Sequence, residues 1–199
     1  MSFINYEKKI INCKILYCGP SKSGKTTNIS YIHDFLNTGN TGNFSSQQLT
    51  SETLLYDFLP INIGKNNGYE THFHLYTLPS HNLFNSSIDF LFRGVDGIIF
   101  VADSSLERLD DNIEAFDMLK SELSKANKNL KNTPIVFQWN KRDLPNICDS
   151  NLLSKNINSE NLPEIETEAI SGKGVFDSLK LMMKFILINH KDLVDGEVL

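Results

Sequence analysis

Gly19-Pro20-Ser21-Lys22-Ser23-Gly24-Lys25-Thr26 is the stretch on which the reading of this chain turns. It fits G-x-x-x-x-G-K-[ST] in full. A β-rich run at 10–18 leads into it. A helical pattern over 25–37 leads out, with Ile29, Ile32, Phe35 and Leu36 at helical spacing. A glycine-bounded loop between strand and helix lets successive backbone N–H groups wrap phosphate oxygens. The following helix adds its positive N-terminal end. Lys25 is placed to reach the β- and γ-phosphates, and the Thr26 hydroxyl to ligate Mg²⁺. The expected phosphate-binding set is therefore Gly19, Ser21, Lys22, Ser23, Gly24, Lys25, Thr26 and Thr27, with Lys25 also expected in catalysis. The motif reads nucleoside phosphates in general and does not choose a base.

Strand-like and helix-like segments alternate onward from this loop. Residues 38–48 are rich in Gly, Asn, Ser and Thr and read as a loop. Stretches 53–63 and 68–78 read as two strands joined at Asn66-Asn67-Gly68, an antiparallel hairpin. The runs 97–102 and 135–139 are continuously apolar, as in strands buried on both faces. Helices are expected at 107–128, 149–157 and 175–190, and a last strand at 165–170. This order predicts an α/β fold: a central, mostly parallel sheet with one antiparallel strand pair and helices on both faces.

The base-reading signal is Asn140-Lys141-Arg142-Asp143, directly after the apolar run 135–139. The C-terminal end of a strand is where open α/β sheets bind ligands. A carboxylate such as that of Asp143 accepts from both the N1–H and the exocyclic amine of guanine, and adenine offers no such donor pair. The Lys141 stem is suited to cover the base plane and Asn140 to brace the loop. Farther on, the Ala169 N–H is placed to meet the guanine carbonyl. GTP and GDP, with Mg²⁺, are thus the expected ligands. An ATP-using kinase would need an arginine-rich lid, and this chain has three dispersed arginines, Arg93, Arg108 and Arg142.

The remaining composition excludes other classes. Of 199 residues, 40% are apolar and 22% charged, enough to build a core. A net charge of −5 argues against broad binding of nucleic acid or anionic lipid. Cys13, Cys18 and Cys148 show no zinc spacing and suit a reducing compartment. With no apolar leader, spanning segment or lipidation signal, a cytoplasmic protein is expected. His72 and His74 alternate on one strand face without a third ligand and read as exposed strand positions. Asp103 ends a buried strand, with a cap or loop role or a contact toward the phosphates. Cys148 has no basic neighbour that would make it reactive.

Together these residues resemble the Ras-like small GTPases, and the resemblance narrows to the bacterial MglA family of gliding-motility and polarity GTPases. It is carried by Asn12-Cys-Lys-Ile-Leu-Tyr-Cys-Gly-Pro20, Gly24-Lys-Thr-Thr-Asn28 and Thr53-Leu-Leu-Tyr-Asp-Phe-Leu-Pro60. Thr71-His-Phe-His-Leu-Tyr-Thr-Leu-Pro79, Arg93-Gly-Val-Asp-Gly97, Phe100-Val-Ala-Asp-Ser104, Asn140-Lys-Arg-Asp-Leu-Pro145 and Gly174-Val-Phe176 complete it. The resemblance implies a single G domain over 1–199, with its core at about 8–190 and a short C-terminal tail. It places Thr53 in the first switch, near Mg²⁺ or the γ-phosphate. It also implies an MglB-like roadblock-fold dimer as activator and an output in polarity or motility, with a polar location through partners. Where Ras-like proteins carry D-x-x-G, this chain has Thr77-Leu-Pro-Ser80, and threonine at the first position is typical of MglA-like proteins.

Four positions depart from the family pattern, all where hydrolysis occurs. Ser21 stands where a glycine leaves room for the attacking water. Glu52 replaces an arginine of the kind that stabilises developing phosphoryl charge, an effect of about 10³–10⁵ in rate where such fingers operate. Ser80-His81 replaces Gly-Gln. His81 is either a water-orienting catalytic residue, as in the similar D-x-P-G-H string of translation-factor GTPases, or an exposed loop histidine. Slow intrinsic hydrolysis by a GTP/GDP switch is the expectation. The alternative is a scaffold that holds guanine nucleotide without hydrolysing it.

Overall fold

Half-buried and buried residues alternate from Ile10 to Ile15 and every residue from there to Cys18 is buried, as this strand runs into the middle of the sheet. The computed structural model describes residues 3–36, 45–49, 54–66, 68–78 and 89–195. In chain order these form β1 (Phe3–Asn5), β2 (Ile10–Cys18), α1 (Lys25–Leu36), β3 (Ser45–Leu49), β4 (Leu54–Asn66), β5 (Tyr69–Thr77) and α2 (Asp89–Phe92). Then follow β6 (Gly97–Asp103), a 3-10 turn (Leu106–Arg108), α3 (Leu109–Lys125), β7 (Ile135–Asn140), α4 (Ser150–Ile157), β8 (Glu164–Glu166) and α5 (Val175–Asp195).

The strand order is β3-β4-β5-β2-β6-β7-β8, with β1 also on β2. The pairs β2–β5, β2–β6, β6–β7 and β7–β8 are parallel. The expected antiparallel hairpin is β4–β5, and antiparallel pairings of β1 with β2 and β3 with β4 extend the sheet. From β2 the chain passes to β5 on one side and to β6 on the other. The order therefore reverses at β2, the kind of point at which open α/β sheets bind their ligands, beyond the carboxyl ends of the strands. Every residue of β6 and β7 is buried, because helices cover both faces. One core, under α2, α3 and α4, includes Leu16, Phe100, Phe116, Phe137 and Trp139. The other, under α1 and α5, includes Ile15, Ile29, Val101, Leu179 and Met182. Each fully buried side chain of this size is worth about 1.5–3 kcal/mol relative to exposure.

Several boundaries differ from expectation: β4 runs to Asn66 and α5 to Asp195, past the expected 63 and 190. Of the predicted loop 38–48, residues 45–48 belong to β3 and pair with β4, the rest lying outside the described residues. Tertiary pairing there overrides a polar composition. The last strand stops at Glu166, since Thr167 and Ala169 turn toward Asn140 and Gly172 adopts φ +83° in the turn that follows. The long helix divides into the 3-10 turn and α3, which ends before Asn127 in the left-handed region (φ 55°). β1 and α2 have no counterpart in the periodicity. They span three and four residues, too short to show one. No described helix is long and apolar enough to cross a membrane.

Candidate nucleotide-binding site

Strands β2, β6, β7 and β8 deliver their carboxyl ends to one edge of the sheet. Cys18 pairs with Phe100, Asp103 with Asn140, and Trp139 with Glu166. Beyond them lie the loops 19–24, 104–108, 141–149 and 167–174. The motif glycines are demanded by shape. Gly19 has φ +135°, and a Cβ there would run into the Val101 carbonyl oxygen. Gly24 has φ +105°, and a Cβ would overlap the Asn140 amide nitrogen. Lys22, a non-glycine at φ 60°, holds the crown of the loop in a sparsely populated conformation of the kind that concentrates at ligand sites.

Lys25 opens α1 and folds back over the loop. Its Nζ donates to the carbonyls of Gly19 at 2.9 Å and Pro20 at 2.7 Å. Burial is the main influence on this ammonium and pushes it down to about 8, against the opposing pull of Cys18 and Asp57. A buried cation with carbonyl partners is suited to exchange them for phosphate oxygens. Thr26 Oγ1 donates to Asp57 Oδ2 at 2.6 Å. Thr77 Oγ1 donates to the same oxygen at 3.1 Å and accepts the Asp57 N–H at 2.8 Å.

Asp57 is a residue the sequence reading missed. It lies on β4 one position past the Phe58–Tyr76 pair, opposite Thr77. A signal was available: Thr77 stands where Ras-like proteins have a carboxylate, and an antiparallel neighbour is the nearest place to supply one. Thr26, Asp57 and Thr77 together present the oxygen donors that suit Mg²⁺.

On the base side, the Asn140 side chain bonds both neighbouring loops. Its Nδ2 donates to Ser23 O at 2.7 Å, and its Oδ1 accepts from Thr167 Oγ1 at 3.1 Å and Ala169 N at 2.9 Å. The Ala169 N–H, expected at the guanine carbonyl, thus has Asn140 as its partner here. Asp143 is exposed, and its carboxylate has no hydrogen bond or ion pair among the described residues. Lys141 takes φ 67°, and its Nζ lies 2.6 Å from Asp103 Oδ2.

Asp103 therefore serves the base loop while making its cap-like bonds, with Oδ1 accepting from Ser105 N at 3.0 Å and Ser105 Oγ at 2.8 Å. Burial works to raise its pKa, but the Lys141 and Ser105 bonds prevail and hold the carboxyl below its ordinary range. Arg142 Nη1 donates to Cys148 O at 2.6 Å and Nη2 pairs with Glu166, bracing the loop. Cys148 thus does have a basic neighbour, yet burial outweighs it and pushes the thiol up.

Ser23 is buried under the loop, Ser21 is half-buried, and Lys22, Thr26 and Thr27 are exposed at its rim. Glu52, Thr53, Ser80 and His81 lie outside the described residues. His72 and His74 are half-buried rather than exposed. His72 lies 3.2 Å from Glu70, and His74 bonds Asn12 at 3.0 Å and stacks on Phe58. Among the described residues no three or more His, Cys, Asp or Glu side chains group as a metal site.

A glycine-bounded loop after β2 and the Asn140–Asp143 loop after β7, bridged by one asparagine at the reversal point of an α/β sheet, are the arrangement of the small-GTPase class. The sequence profile of the ADP-ribosylation factor (Arf) family matches residues 2–186, and the chain belongs to this family of small GTPases as an MglA-like member. It is 43% identical over 192 residues to Mutual gliding-motility protein MglA of Myxococcus xanthus (strain DK1622), covering 96% of this chain and 98% of that protein. It is 27% identical over 182 residues to Ras-related protein Rab-5B of Plasmodium falciparum (isolate 3D7), covering 91% and 81%. Proteins of this family bind guanine nucleotides.

Proposed function

We propose that this chain is a GTP/GDP switch with slow intrinsic hydrolysis that acts in cell motility or polarity, as its relationship to MglA suggests. The observation that carries the nucleotide reading is the Asn140 side chain, which ties the phosphate loop at Ser23 to the base loop at Thr167 and Ala169. Lys25 and the N–H groups of the loop 19–27 hold the phosphates. Asp143 accepts from the guanine edge while Lys141 covers the base. Thr26 and Thr53 are the residues to hold Mg²⁺, with Asp57 in the carboxylate role that Thr77 cannot fill. Mg²⁺ offsets phosphate charge when bound.

Slow turnover follows from the side chain of Ser21 beside the γ-phosphate and from Glu52, whose charge is opposite to that of a stabilising arginine. His81 is the residue to orient water, and Lys25 stabilises charge on the transferred group. A roadblock-fold dimer of the MglB kind is the activator proposed, at a polar site in the cytoplasm.

The test is single-turnover hydrolysis on GTP-loaded protein, with guanine-over-adenine competition, in wild type, Asp143→Ala and His81→Ala. Asp143→Ala is expected to lose guanine preference, and retained preference sinks the base reading. Measurable wild-type hydrolysis that stops in His81→Ala supports the switch. GTP left intact for hours in every protein, with and without an MglB-like dimer, supports the non-hydrolysing scaffold instead.

A further inference from the structure

Among the described residues, Arg108 is the only arginine that bonds the phosphate loop. It sits in the 3-10 turn after β6, and its Nη2 donates to the Ser21 carbonyl at 2.7 Å. Its Nη1 pairs with Asp111, and its Nε lies 3.8 Å from Asp103 Oδ2. The planar guanidinium is hydrogen-bonded to the Ser21 carbonyl, paired with Asp111 and within ion-pair range of Asp103, and its fork spans acceptors that an ammonium could only take one at a time. Asp103 is itself fixed: only 2% exposed, with its backbone N–H and carbonyl both bonded by the Asn112 side chain at 2.9 and 2.8 Å. The same Oδ2 that faces Arg108 receives Lys141 Nζ. A continuous chain of polar contacts thus runs Ser21–Arg108–Asp103–Lys141, from the loop that takes phosphate to the loop that takes the base.

We propose that Arg108 is a positioning residue that couples the phosphate loop to the base loop through the buried Asp103 carboxylate, so that the two ends of the nucleotide are held cooperatively. The proposal rests on the guanine-nucleotide reading given above. Its physical basis is that a buried carboxylate shared by two cations orders both. Removing Arg108 leaves the Ser21 carbonyl without this donor and leaves Lys141 as the cation on the Asp103 carboxylate. A small cavity of about 200 Å³ beside this contact, lined by Pro20, Ser21, Arg108 and Met118, gives the loop room to move once released.

The experiment is a double-mutant cycle on the rate at which a fluorescent GDP analogue leaves the protein when chased with excess GDP in Mg²⁺. It uses wild type, Arg108→Ala, Lys141→Ala and the double variant. Arg108→Ala is expected to release nucleotide about tenfold faster in the wild-type background, as fits loss of a charge-assisted hydrogen bond, and clearly less than that in the Lys141→Ala background. Arg108→Lys, which reaches one acceptor only, is expected to release at an intermediate rate. Equal acceleration in both backgrounds overturns the coupling, since a merely local support of Ser21 gives independent effects. A wild-type rate in Arg108→Ala or Arg108→Lys also overturns it. If Arg108→Ala does not fold, Arg108→Gln, with one amide donor and no charge, takes its place in the cycle with the same expectations. Failure of the wild type to bind the analogue at all removes the nucleotide reading itself, which the other outcomes leave standing.

Discussion

At the scale of single residues the candidate site holds buried charges bonded to protein partners. Lys25 is the clearest case. It lies 7% exposed on two backbone carbonyls, and burial lowers its pKa from an ordinary 10.5 to about 8. The consequence for stability has a definite sign. Between about pH 8 and 10.5 the unfolded chain still protonates this lysine while the folded, ligand-free protein does not. The unfolded state then binds more protons, so stability gains from this group as pH rises through that window and loses it below. The gain approaches about 1.4 kcal/mol per pH unit at most, or about 2–4 °C in melting temperature for a chain of this size. Measured on ligand-free protein from pH 7.5 to 9.5, the melting temperature of wild type should rise relative to that of Lys25→Met. A constant difference across that range would show that Lys25 is not held in this way.

Elements, rather than residues, decide where these groups meet. β6 approaches α5 so closely that a Cβ on Gly97 would overlap Met182 Sδ and come 2.9 Å from Ile186 Cδ1. Gly97→Ala is therefore expected to destabilise by about 1–3 kcal/mol, read in a urea titration, and Met182→Ala in the same chain should recover part of the loss. An unchanged midpoint would mean that the Met182 and Ile186 side chains, or α5 with them, give way without cost. The strands and helices that fix this packing were legible in the sequence because burial on two faces and helical spacing leave strong patterns: 10–18, 97–102 and 135–139 were all placed to within a residue. β3 was not, since an edge strand of Ser and Gln pairs through its backbone and leaves no apolar period. In the site, the two loop motifs were legible because their chemistry is contiguous. Asp57 and Arg108 were not placed in it, and Asp103 was given a cap or loop role or a contact toward the phosphates but not its bond to Lys141, because such roles depend on which strand ends the topology brings together. Thr77 hinted at the first of them by lacking a carboxylate.

Across the whole molecule, the phosphate loop, the base loop and β4 come from distant parts of the chain, and side chains bond one to another across them. Asn140 spans 117 residues to Ser23, and Thr26 spans 31 to Asp57. A ligand that engages all three should therefore stabilise the folded state as a unit. Nucleotide at a hundredfold excess over its dissociation constant contributes about 2.7 kcal/mol. At about 2–4 °C per kcal/mol for a chain of this size, GDP with Mg²⁺ should raise the melting temperature by about 5–11 °C, and ATP with Mg²⁺ should not. The magnesium-dependent part separates the roles within the site. If Asp57 supplies the carboxylate for the cation, Asp57→Asn should keep the shift produced by GDP alone and lose the further increment that Mg²⁺ adds. An increment of full size in Asp57→Asn would assign that role elsewhere. Loss of the entire shift would show instead that Asp57 holds Thr26 and the phosphate loop in shape, through the 2.6 Å bond from the Thr26 hydroxyl.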